Sequence, residues 1–97
     1  MLVIWAPQSI ADLQDIWDYI AEDNPRAATE LVGAVRAKAE YLTRYARLGR
    51  PGRGKKLRYL SVVGTPYFVV YRLSKADIEI ARVVHGARDW PRKSKRP

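Results

Sequence analysis

The sequence predicts an α+β fold with the element order βααβββ, an antiparallel helix hairpin packed on one face of a curved, mainly antiparallel sheet. Three observations predict it. Apolar residues recur at the helical period through the first half of the chain and alternate with period two through the second. The link "EDNPRAA" between the two helical stretches is too short for anything but an antiparallel hairpin. The turns "GTP" and "SKA" are short enough to join neighbouring antiparallel strands. Helices with an apolar stripe must hide it, and one face of the sheet is the place to do so, which leaves the other face open.

Each element has its own signal. "LVIW" (2–5) is a short run of β-branched and aromatic residues and reads as a strand. Pro7 and Ser9 start a helix over about 8–23, and Ser9 with Asp12 fits the Ser-x-x-acid capping pattern. Ile10, Leu13, Ile16 or Trp17, and Ile20 make its apolar stripe, with the acids mainly on the solvated face. Asn24 caps a second helix over about 25–45, with Pro25 in the first position, where no amide hydrogen is needed. Ala28, Leu31, Val32, Val35, Ala39 and Leu42 form its stripe, and Arg36 and Arg44 are candidate partners for the acids of the first helix. Gly33 costs about 1 kcal/mol in a helix interior relative to Ala, which a close approach there would explain. "RLGRPGRGKK" (47–56) reads as a loop, and strands follow near 57–63, 67–73 and 77–84. Leu13, Ile16, Ile20, Leu31, Val35, Leu42, Leu60, Val62, Val70 and Ile80 are the expected core.

The 97 residues suit one domain, 1–91, with a basic and mobile tail at 92–97. There is no cysteine, which excludes disulfides and thiolate metal sites and suits the cytoplasm. No apolar run is long enough to span a membrane, so no membrane partner is expected. The formal net charge is +8, and it is unevenly spread. Residues 1–24 carry Asp12, Asp15, Asp18, Glu22 and Asp23 with no base, whereas 44–58 carry Arg44, Arg47, Arg50, Arg53, Lys55, Lys56 and Arg58 with no acid. Such a cluster seeks an anionic partner, nucleic acid or an acidic protein segment.

Most catalytic chemistry is excluded. One histidine and no cysteine cannot build a His- or Cys-rich metal site, and the acids lie on a helix face rather than in a pocket, so no metal and no cofactor is expected. "GRPGRG" lacks the strand–turn–helix setting of a phosphate-binding loop. What remains is His85 with Arg88 in "VVHGARDW". A histidine beside a guanidinium can move a proton while phosphoryl charge is stabilised, as in a metal-independent ribonuclease. The plainer alternative is that His85 ends a strand at a "HG" turn and hydrogen-bonds a carbonyl.

The order βααβββ with "WAPQSIADLQDIWDYIAEDNPRAA", "LGRPGR", "VVGTPYFVVYRL" and "IEIARVVHGARDWP" resembles the RelE/ParE superfamily of type II toxins over roughly residues 2–91. "GTPYFVVYR" and "RVVHGARDWP" look like the ParE branch. The resemblance implies a toxin neutralised by a cognate ParD-like antitoxin in a hetero-oligomeric complex, with DNA reached only through the antitoxin. It also implies DNA gyrase as the target for ParE-like members, and ribosome-bound mRNA cleavage for RelE-like ones. RelE-like ribonucleases carry an Arg on the third strand where this chain has Phe68, and lysines on the strand before, where this chain has only Arg58. The expectation is therefore a binding toxin without catalytic residues, the alternative being an endoribonuclease that uses His85 and Arg88. Arg58, Arg82, His85, Arg88 and Trp90 are expected to face the target. Trp5, Trp17, Arg47, Arg50, Arg53, Lys55 and Lys56 are expected to face the antitoxin.

Overall fold

The computed structural model describes residues 1–52 and 56–87. The elements run β1 (Leu2–Trp5), α1 (Pro7–Ala21), α2 (Pro25–Tyr41), β2 (Arg50–Pro51), β3 (Leu57–Ser61), β4 (Tyr67–Leu73) and β5 (Asp77–His85). The five strands form one sheet in the order β1-β5-β4-β3-β2. β2, β3, β4 and β5 pair antiparallel with their neighbours, and β1 lies parallel to β5. The α1–α2 hairpin packs on one face. Leu13, Ile16, Val35, Ala39 and Leu42 meet Leu60, Val62, Val69, Tyr71, Ile78, Ile80 and Val83 in a single core. Ile20 and Leu31, expected in that core, pack against it half-buried. The opposite face is not wholly open, because Val70 and Val84 are buried on it.

Three expectations are corrected. The first concerns Ser9 and Asp12. The helix cap is Ala6, and Pro7 opens α1, so Ser9 is already inside the helix and its Oγ donates to the Ala6 carbonyl at 2.6 Å. Asp12 therefore falls in the second turn and is free of capping duty. The second concerns the length of α2, which stops at Tyr41 rather than Tyr45. Its end tightens through Leu42 N–H to Ala39 O and Thr43 N–H to Glu40 O, and the Thr43 hydroxyl also donates to Glu40 O. The third concerns the 47–56 loop, which contains the edge strand β2. It is two residues long and ends in Pro51, a combination that blunts further strand addition. The Asn24 cap is as expected, its side chain accepting from Ala27 N–H at 3.1 Å. Gly33 has nothing within 4 Å of a would-be Cβ, so no close approach explains it.

Two polar clamps hold the helices and the loop to the sheet. The first is Asp12. Its carboxylate accepts from Arg82 Nε at 2.8 Å and Nη2 at 3.0 Å, from the Val83 amide at 2.9 Å, and from Gln8 at 3.2 Å. Its partner is thus a base on β5, rather than Arg36 of α2 or Arg44 just beyond it. Strict alternation from Ile78 and Ile80 would put Arg82 in the core. A bulge prevents this: Tyr71 faces Ile80 while Val70 faces Arg82, so Ala81 is the extra residue and Val83 takes the core position. Arg82 is released to reach Asp12.

The second clamp is Tyr71, which is fully buried at the centre of the sheet. Its hydroxyl donates to Ala46 O at 2.8 Å and accepts from Gly49 N–H at 2.8 Å. Arg58 adds a guanidinium nitrogen that donates to Gly49 O at 2.6 Å and Arg47 O at 3.1 Å. A Cβ at Gly49 would lie 2.7 Å from the Tyr71 ring, so only glycine lets the loop approach this closely. Burial pushes the Tyr71 hydroxyl pKa up, against the Gly49 hydrogen bond and the Arg58 charge, and it stays a donor.

Tyr71→Phe keeps the ring but leaves the Gly49 amide and Ala46 carbonyl without this partner. It is expected to cost about 1–3 kcal/mol in urea unfolding with little change in slope. Asp12 gives a pH test. Burial raises its pKa, but the Arg82 hydrogen bond, the Val83 amide, the Gln8 amide and the Arg82 charge outweigh that and hold it below the usual carboxylate range. A group with a depressed folded pKa stabilises fully above its unfolded pKa, and that stability is lost as pH falls through the folded one. Stability of the wild type should therefore fall below about pH 4, and Asp12→Ala should lose about 2 kcal/mol at neutral pH and show a flatter acid limb. An acid limb unchanged in the variant would exclude Asp12 as the titrating clamp.

Candidate functional site

At one end of the sheet, β5 finishes at His85 beside the start of β4, Tyr67. The His85 ring meets the Tyr67 ring edge-on, with centroids 5.2 Å apart. Nδ1 of His85 accepts from the Ala87 amide at 3.1 Å. The lone histidine thus ends a strand and braces the following turn through the Ala87 amide. The turn is tight for a second reason. Gly86 N–H donates to Pro66 O at 2.7 Å, and a Cβ at Gly86 would lie 2.8 Å from the Phe68 ring. Phe68 follows Tyr67 and so projects from the opposite sheet face to the one that carries Tyr67 and His85.

Beside His85, a cleft of about 350 Å³ is lined by Asp12, Asp15, Ile16, Tyr19, Tyr67, Arg82 and Val83. Asp12, Asp15 and Tyr19 share one side of α1 through helical spacing, a signal that could have been read from the sequence once α1 was packed against β5. Asp12 is held as a carboxylate by Arg82 and the Val83 amide, so at neutral pH it is a poor proton carrier. Among the described residues no group of three His, Asp or Glu side chains is placed to hold a metal ion. The cleft presents the Asp12–Arg82 ion pair, the Asp15 carboxylate and the phenols of Tyr19 and Tyr67.

The expected target-facing residues separate. Arg82 and His85 lie at this end. Arg58 lies at the other, opposite Tyr71 in the β3–β4 register, four residues or roughly 13 Å along β4 from Tyr67. Its guanidinium is engaged with the 47–49 loop. Arg88 and Trp90 lie outside the described residues.

The expected antitoxin-facing residues also divide. Trp5 and Trp17 line a second, larger cleft of about 570 Å³, together with Ile10, Leu13, Gln14, Val32 and Arg36. Its walls come from β1, α1 and α2, and they are mostly apolar with one cation. Ile10, Val32 and Arg36 belong to this surface, although the sequence alone placed them in helix stripes or ion pairs. Arg47, Arg50 and Lys56 are exposed near β2, at the opposite sheet edge from β1. Four strand spacings separate those edges, roughly 19 Å. Arg53 and Lys55, like the tail 92–97, lie outside the described residues. Among the described residues no helix is long and apolar enough to cross a membrane.

This geometry has known counterparts. The chain is similar to the solved "Chromosomal ParDE TA system from P. aeruginosa", with a TM-score of 0.79 and 26% identity, covering 88% of this chain and 95% of that one. It is 37% identical over 87 residues to "Putative toxin Y4kP" of Sinorhizobium fredii, covering 90% of each. It is 35% identical over 86 residues to "Toxin RelE2" of Caulobacter vibrioides, covering 89% of this chain and 96% of the relative. The family described as "ParE toxin of type II toxin-antitoxin system, parDE" matches residues 3–90, nearly the whole of the chain, and the protein belongs to that family.

Proposed function

We propose that this toxin stops growth by binding and poisoning DNA gyrase, without bond-making chemistry of its own, and that a ParD-like antitoxin silences it in the cytoplasm. The observation that carries the non-catalytic reading is the state of the groups around His85. One ring nitrogen takes the Ala87 amide, the ring packs on Tyr67, and Arg82, three residues back on the same strand, is bound to Asp12 through two nitrogens. A ribonuclease needs a base poised for transfer and a charge donor aimed at the phosphate. Here the strand position that would supply the donor is Phe68, on the other face from His85. In this reading Arg82 and His85, with Arg88 and Trp90, face the target, and Arg58 acts from a distance by setting the 47–49 loop.

The antitoxin in this reading places an apolar side chain in the Trp5–Trp17 cleft and a neighbouring acid on Arg36. Aromatic-lined pockets with one charged group at the rim are where interface energy concentrates. Arg47, Arg50 and Lys56, on the far edge, raise the encounter rate through their field rather than through contact.

Two measurements test the proposal. Wild type and His85→Gln are compared for growth arrest, gyrase supercoiling and cleavage of ribosome-bound mRNA. Both should block supercoiling with potency within about fivefold, the scale of one neutral hydrogen bond, and leave mRNA intact. Site-specific mRNA cleavage that falls ~10²–10⁴-fold in His85→Gln would instead establish an endoribonuclease, the activity read here as an alternative for His85 and Arg88. For the antitoxin, Trp17→Ala should raise the dissociation constant about 30-fold or more, through faster dissociation. Arg47→Gln with Arg50→Gln should slow association and leave dissociation nearly unchanged.

A further inference from the structure

Nine basic residues and no acidic one fall between Tyr41 and Ala76. The fold gathers the described ones of the first part at one edge. From Ala39 to Leu48 the backbone winds in tight turns, with Leu42 N–H to Ala39 O, Arg44 N–H to Tyr41 O and Leu48 N–H to Tyr45 O. Arginines recur every third position at Arg44, Arg47 and Arg50, and all three side chains are exposed. The same segment carries Tyr41 and Tyr45, about half exposed, with ring centroids 4.9 Å apart. Lys38 lies 5.4 Å from the Tyr41 ring centroid, which adds another cation to the same patch.

The backbone beneath this patch is fixed from inside the protein. Tyr71 takes Ala46 O and Gly49 N–H, and Arg58 takes Arg47 O and Gly49 O. The loop is thereby pre-organised while its charged side chains are left for a partner, and pre-organisation lowers the entropy lost on binding. An acidic peptide would be served by the charge alone. The regular arginine spacing beside two solvent-facing phenol rings fits a ligand that repeats both an anion and a flat ring. We propose that the segment from Tyr41 to Arg50 is a contact surface for single-stranded nucleic acid, with phosphates on Arg44, Arg47 and Arg50 and a base stacked on Tyr45. The surface stands apart from the Trp5–Trp17 cleft and from the His85 end, so this inference is independent of the gyrase reading.

The test uses the full chain and fluorescence anisotropy with a labelled mixed-sequence 20-nucleotide single strand, its duplex, and a polyglutamate competitor. No gyrase, ribosome or antitoxin is present, so the result does not depend on the cellular target. The combined variant Arg44→Gln, Arg47→Gln, Arg50→Gln should lose most affinity, and the slope of log affinity against log salt should shrink by ~2, at about 0.7 per lost single-strand contact. Tyr45→Ala should weaken the single strand about 5- to 150-fold and leave the salt slope unchanged, with little effect on the duplex. Arg26→Gln, at the start of α2, should behave as wild type. Circular dichroism and thermal melting check that each variant is folded, since none of the three arginine side chains holds the backbone. Wild-type affinity and slope in the folded arginine variant would overturn the proposal. So would displacement by polyglutamate together with a silent Tyr45→Ala, which would assign the surface to an acidic protein instead.

Discussion

β1 leaves the sheet at Trp5, whereas its neighbour β5 runs on to His85, so half of β5 has no strand on that side. An amide left there without a partner inside the protein would be costly. The chain meets this constraint with the start of α1. Ala6 N–H donates to Ile80 O and ends the strand-like pairing. One and a half turns later Asp12 presents its carboxylate to the Val83 amide and to Arg82. A single buried side chain thus substitutes for the missing strand, ties α1 to β5 and neutralises an arginine. The direction in which α1 leaves the sheet, and with it the hairpin and both clefts, depends on this contact.

Buried charge pairs are costly to form and costly to break singly. This one is favourable because it is half-exposed on the arginine side, with an Arg82 side chain 47% accessible against 8% for Asp12. The backbone amide supplies a further donor in the interior. The same logic governs the other edge. Tyr71 brings one hydroxyl into the core and spends both of its hydrogen-bonding directions on the 46–49 loop. The loop that carries the arginines is therefore held by the centre of the sheet. Acids collect on α1 and bases near the β2 edge, and the base that Asp12 of α1 holds comes instead from β5, as Arg82.

The sites were only partly legible in the sequence because contacts, rather than residue types, define them. Trp5 and Trp17 announced an apolar surface, and the structure places both in one cleft. Arg36, eighteen residues from the nearest of α1's acids, could be drawn into that cleft only by the hairpin's crossing. His85 attracted attention as the lone histidine, yet its chemistry is decided by Tyr67 and Ala87, one of them on another strand. The Ser9–Asp12 pattern was read as a helix cap because local spacing favours it. It failed because Pro7 and the Ala6–Ile80 bond start the helix earlier.

By itself the sequence determined the element types, the hairpin, the three antiparallel strands and most of the core. These follow from local periodicity, short turns and proline positions, which act within a few residues of one another. Tertiary structure decided where β1 pairs, where β5 bulges, and which side chains meet across the fold. β1 is separated from β5 by the whole helical hairpin, so no turn geometry fixes its place or its parallel sense. The bulge at Ala81 is invisible to alternation because it breaks alternation, moving Arg82 out of the core and Val83 into it. Only the packed sheet makes that exchange favourable, since it buries an apolar side chain and brings a cation to the one carboxylate that β5 needs.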